Sequence, residues 1–126
     1  RVNKSNGIGI SEGRVPETIY WIMMNEKIVG IGRLRHYLND NLLKHGGSIG
    51  FGVSSNYRGK GIATKALPLI LIEAKKLNQE EVLLTVDSDN MASRKVIENN
   101  SGILRKEEDQ TCYYWIKTKD KQPKTV

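Results

Sequence analysis

The sequence predicts an α/β fold, a mixed and mostly antiparallel sheet with flanking helices, and three stretches predict it. The runs "TIYWIMM" (18–24) and "KIVGIGRLRHY" (27–37) are rich in aromatic and β-branched residues and separated only by "NE", the pattern of an antiparallel hairpin. Between 61 and 77 the period changes: Ala63, Ala66, Leu67, Ile70, Ala74 and Leu77 recur at spacings of three and four, the apolar stripe of a helix. "EVLLTV" (81–86) is then a continuous apolar run, as expected of a strand covered on both faces.

The remaining elements fall into place around these. Residues 1–14 are polar and glycine-containing and read as an irregular lead-in. "LNDNLLKH" (38–45) is a short helix or loop ended by Gly46 and Gly47. "SIGFGV" (48–53) is a third strand, with Ile49, Phe51 and Val53 on one face and only Ser48, Gly50 and Gly52 on the other. Pro68 lies early in the long helix and predicts a kink or an unpaired carbonyl there. "DSDN" leads into a second helix over about 90–99 with Asn90 as its N-cap. "GILRKEE" and "CYYWIKT" close the chain as two strands around a charged turn. The order is β-β-β-α-β-α-β-β.

Composition narrows the class. A length of 126 residues suits one domain, and 38% hydrophobic residues suffice for its core. No run approaches the roughly 18 apolar residues that span a bilayer, and no signal-peptide pattern opens the chain, so a cytoplasmic protein with no membrane partner is expected. The single cysteine, Cys112, excludes a disulfide framework and a cysteine-rich metal site, and no metal is expected. The net charge of +6 favours an anionic partner. Nothing resembling a recognition helix or stacking motif accompanies it, so nucleic acid is not expected. The lysines at 117, 119, 121 and 124 read as a solvated tail.

The informative stretch is "FGVSSNYRGKGIATKAL" (51–67). A P-loop would need glycine at 54 and Ser or Thr at 61, and this chain has Ser54 and Gly61. A dinucleotide fingerprint would need a third glycine where Thr64 stands, and an antiparallel hairpin precedes it. R-x-x-G-x-A fits, from Arg58 and Gly59 through Lys60, Gly61 and Ile62 to Ala63. It opens a helix, whose first N–H groups lack partners and whose dipole is positive, so a pyrophosphate can rest there. The same turn would also serve plain chain reversal.

In context, "FGVSSNYRGKGIA" resembles the coenzyme loop of the GNAT family of N-acetyltransferases, and "RHYLNDNLLKHGGSIGF", "NMASRKVIENNSG" and "YYWI" resemble a bacterial branch of predicted acetyltransferases. The resemblance covers roughly 15–117. It implies the acyl-CoA N-acyltransferase fold, in which the third strand runs parallel to "EVLLTV" and splays from it. Acetyl-CoA, as co-substrate, would insert its pantetheine arm there against the main chain of Phe51 and Val53. Backbone N–H groups of Gly59, Lys60, Gly61, Ile62, Ala63 and Thr64, with Arg58, would hold the pyrophosphate, and Asn90 and Ser93 the arm or phosphates. The bare faces of Gly50 and Gly52 suit close approach.

The implied reaction is direct attack of a primary amine on the thioester, with an oxyanion held by an N–H near Val53. Many relatives carry a tyrosine acid where this chain has Ile97. Tyr113 and Tyr114 are the substitutes, although their alternation also fits core packing. His36 is the candidate base, although a histidine at a strand end is often structural. His45 reads as an exposed helix end, and a covalent route through Cys112 lacks an activating neighbour. The family's opening strand and helices have no counterpart before residue 15 and the chain starts on Arg1. Residues 1–126 therefore read as one N-acetyltransferase domain shortened at its amino-terminal side, its uncovered edge suited to a homodimer. The alternative is a non-catalytic acyl-CoA or nucleotide-binding module.

Overall fold

The computed structural model describes residues 2–4 and 15–118. In chain order it has β1 (Val2–Lys4), β2 (Glu17–Met24), β3 (Lys27–Arg35), α1 (Asp40–Lys44), β4 (Ile49–Val53), α2 (Ile62–Lys76), β5 (Glu81–Asp87), α3 (Met91–Asn99), β6 (Ile103–Glu108) and β7 (Thr111–Lys117). The expected hairpin is β2–β3. Its two-residue turn has positive φ at both Asn25 and Glu26, the primed geometry that matches strand twist. Asp109 and Gln110 repeat it between β6 and β7.

Two readings are corrected. The lead-in contains a strand: β1 pairs antiparallel with β2, Asn3 opposite Trp21. Three residues of "VNK" carry no periodic signal, and the ladder to β2 makes them a strand. The rest of that lead-in and the lysines at 119, 121 and 124 lie outside the described residues. The strand expected to reach Tyr37 also stops at Arg35: the His36 N–H still reaches the Pro16 carbonyl, but Pro16 has no N–H to return the bond.

The sheet is split. One part has the order β1-β2-β3-β4 and the other β5-β7-β6, so β4 and β5 are both edges facing one another. They touch at one end, where Ser48 N–H donates to the Leu83 carbonyl (2.7 Å) and Leu83 N–H to Ser48 Oγ (3.0 Å). α2 returns the chain between them, so β5 runs in the sense of β4, and beyond Ser48 no ladder joins the two strands. This is the splayed pair that the sequence led one to expect.

α2 packs its stripe on both halves. Leu67, Ile70, Leu71 and Ala74 are buried with Leu34, Ile49, Val82 and Leu84, while Leu77, expected in that stripe, caps the helix and is 40% exposed. Gly32 is bare because a Cβ there would lie 2.5 Å from Ile70 Cδ1. Pro68 does not break the helix. Its missing N–H would orphan the Thr64 carbonyl four residues back, and Asn100 Nδ2 supplies that bond (3.2 Å) while also donating to Val96 O (3.0 Å). Asn100→Ala is expected to cost about 1–2 kcal/mol, since it leaves a half-buried carbonyl unpaired. Chemical denaturation checks this: a loss near zero would mean water satisfies Thr64 equally well.

Candidate functional site

The phase of the β3–β4 ladder decides what β4 offers its free side. Arg35 N–H donates to Ser48 O and Ser54 N–H to Val29 O, both 2.8 Å. In an antiparallel pair alternate residues turn their N–H and C=O to the partner. Ser48, Gly50, Gly52 and Ser54 therefore bond to β3, and Ile49, Phe51 and Val53 direct their backbone groups at the gap before β5. Arg58 Nε takes the Val53 carbonyl (3.0 Å), which leaves the Phe51 amide and carbonyl and the Val53 N–H facing that gap.

The gap opens into a groove of about 630 Å³ between β4, the start of α2 and α3. Phe51, Val53, Arg58, Gly59, Gly61, Ile62, Ala63, Thr64, Asn90 and Ser93 all line it, so all but Lys60 of the residues expected to hold the coenzyme share one wall. The end of α2 there is bare. α1 and α3 are capped by Asn39 Oδ1 and Asn90 Oδ1, which accept from Leu42 N–H (2.9 Å) and Ser93 N–H (3.2 Å). α2 has Gly61 at that position, with φ +75° and no capping side chain. The N–H groups of Ile62, Ala63 and Thr64 are thus open at the positive end of a 15-residue helix. A side chain on Gly59 or Gly61 would meet nothing within 4 Å, so both glycines are there for their left-handed φ. Lys60 lies over the Tyr57 ring, 5.6 Å from its centre.

The groove has residues that sequence reading missed: Tyr57, Lys95, Val96 and Asn99. The last three share with Ala92 the face of α3 that begins at Asn90, a signal available from helical spacing once Asn90 is placed.

The proposed proton-transfer groups are not brought to it. His36 sits beyond the end of β3, at the carboxyl end of α2, where Gln79 Nε2 donates to Arg35 O. Its Nε2 is 2.8 Å from Thr18 Oγ1. Tyr114 is fully buried, its hydroxyl donating to Glu98 and accepting from Arg94 Nε (3.0 Å) on the side of α3 away from the groove. Burial first, then the Glu98 hydrogen bond, raise its pKa. Tyr113 projects to the other face, donating to Lys44 O (3.0 Å). Ile97 is buried against Gly102, where a Cβ would lie 2.3 Å from Ile97 Cγ2. Cys112 is buried and His45 exposed at the end of α1.

The sequence pattern of the acetyltransferase (GNAT) family matches residues 7–103. No curated protein sequence matches the chain. Among solved structures it resembles an N-acetyltransferase from Staphylococcus aureus, with a TM-score of 0.67 and 19% identity over 82% of this chain and 68% of that one. It also resembles a Campylobacter jejuni N-acetyltransferase in complex with acetyl coenzyme A, with a TM-score of 0.62 and 16% identity over 80% of this chain and 67% of that one. For an acetyltransferase of Streptococcus pneumoniae the values are 0.62 and 17%, over 79% of this chain and 64% of that one.

Proposed function

The chain belongs to the GNAT acetyltransferase family, and from that premise we propose that it is an N-acetyltransferase moving the acetyl group of acetyl-CoA to a primary amine by direct attack. One observation carries the reading. A strand edge with the Phe51 amide and carbonyl and the Val53 N–H turned outward leads, along one groove, to an uncapped helix end flanked by Arg58 and Lys60. The first feature suits an extended amide-bearing arm, and the second its pyrophosphate. Arg58, pinned to Val53 O, stands between them and adds charge to both.

In this reading the pantetheine amides pair with Phe51 and Val53, the N–H groups of residues 61–64 hold the pyrophosphate, and Lys95 and Asn99 border its far side. Asn90 keeps its Oδ1 on the α3 cap and offers only Nδ2. The thioester carbonyl lies at the split, where a β4 N–H takes the developing oxyanion. The residues 1–126 are read as one such domain, placed in the cytoplasm.

With the Tyr113 and Tyr114 hydroxyls both engaged outside the groove, the coenzyme departs in this reading as thiolate, favoured by a thiol pKa near about 8.5. The amine loses its proton to solvent, since His36 is held by Thr18 away from the groove. Coenzyme release with a panel of amines, followed from about pH 6 to 9.5, should rise through one group and be unaltered by His36→Asn. A shifted rising limb in that variant would restore His36 as base. Tight acetyl-CoA binding with no release for any amine would favour the coenzyme-binding module, which Ile97 in place of an acid also suits.

A further inference from the structure

The face of β2–β3–β4 turned away from α2 carries a charged cluster that the coenzyme groove does not use. Leu34 and Gly32 point to α2, so Arg33 and Arg35 project to the opposite side. Glu17, paired with Arg35 across β2–β3, holds both: Arg33 Nη1 at 3.1 Å and Arg35 Nε at 3.5 Å. Arg35 Nη1 also donates to Gly46 O (3.2 Å). A Cβ on Gly50 would lie only 3.2 Å from that same Nη1. The bare strand face at residue 50 is therefore the bed of the Arg35 guanidinium, placed where β4 parts from β5.

Two guanidiniums share one carboxylate, which leaves the cluster with a net positive charge. Arg35 is spent on Glu17 and Gly46, with its side chain 19% exposed, whereas Arg33 bonds to Glu17 through Nη1 and is 43% exposed. Beside it, the outer side of Gly52 is open, with nothing within 4 Å of where a side chain would start. A planar fork of donors fixed at its base by a carboxylate is suited to a second carboxylate.

This step rests on the reading above. If the coenzyme fills the groove on the α2 side, the acceptor reaches the split from the opposite face and meets Arg33, Arg35 and Gly50 first. We infer that Arg33, steadied by Glu17 and Arg35, binds a carboxylate of the acceptor, so that the acceptor is a small amino acid rather than a polyamine. Glu17 is the carboxylate at this spot, and it is already neutralised, so a polycation would meet net repulsion.

The test uses amino acids and their carboxamides as matched acceptors, with coenzyme release giving kcat and KM separately. The acids should be favoured roughly tenfold or more in kcat/KM, as one charged hydrogen-bonded pair supplies. Arg33→Gln should bring the acids to the level of the carboxamides through KM, with the acetyl-CoA-induced rise in melting temperature unchanged. Calorimetric titration of the amino acids into coenzyme-loaded protein reads the same site without turnover. Acid binding lost in Arg33→Gln, in a protein that transfers no acetyl group, would sink the transferase reading and leave the anion site standing. Transfer with acids and carboxamides used equally, or a titration unaltered by Arg33→Gln, would overturn the inference.

Discussion

Gly61→Glu is expected to remove the stabilisation that acetyl-CoA gives this protein. At about 100 times its dissociation constant the coenzyme should add roughly 2.7 kcal/mol to the parent, read as a rise in melting temperature. The Glu carboxylate would occupy the space beside the open N–H groups of residues 62–64, where nothing now lies within 4 Å of the new Cβ. It would complement the helix dipole by itself, worth about 0.3–1 kcal/mol, and repel the pyrophosphate it replaces. Because φ at Gly61 is +75°, any side chain also strains the backbone by about 1–2 kcal/mol. Gly61→Ala separates the two effects. It should lower the melting temperature of the free protein and keep most of the ligand-induced rise. An undiminished rise in Gly61→Glu would remove the glycine loop from the binding site.

Gly47→Ala should damage the fold itself. Gly47 has φ +64°, and a Cβ there would stand 2.3 Å from the Leu83 carbonyl oxygen and 2.9 Å from its carbon. That oxygen is the acceptor for Ser48 N–H, the weld between the two half-sheets. Backbone strain and overpacking together predict a loss of about 2–5 kcal/mol, a large part of an ordinary domain's roughly 5–15 kcal/mol. Gly59→Ala is the control, since Gly59 also has positive φ (+79°) and meets nothing within 4 Å. It should cost the backbone strain alone. Equal losses in the two variants would show that the β4–β5 weld adds nothing.

Most of the elements, and the residues that line the groove beside α2, could be read from the chain alone. The aromatic and β-branched residues of 18–24, the alternation in 48–53, period 3.6 in 62–76 and the apolar run at 81–86 each report a local geometry, so each was legible locally. The loop was legible only in part: a helix opened by R-x-x-G-x-A, with no side chain able to cap it, suits a phosphate and plain chain reversal alike, and the family resemblance favoured the phosphate. The alternation in 48–53 even separated the bare face of Gly50 and Gly52 from the face of Phe51 and Val53.

What tertiary structure decided was which groups meet. Val2, Asn3 and Lys4 became β1 only because β2 had an edge to offer. The ladder phase that turns the Phe51 and Val53 backbone to the gap depends on register, and the orphan carbonyl behind Pro68 found its partner in Asn100, 36 residues away. His36 and Tyr114 have the right chemistry on paper, but packing placed one beyond the far end of α2 and the other beneath α3. Gly50 looked like room for a ligand and proved to be the bed of Arg35. A residue type is local, whereas its neighbours are set by long-range packing, and catalysis and acceptor choice depend on the neighbours.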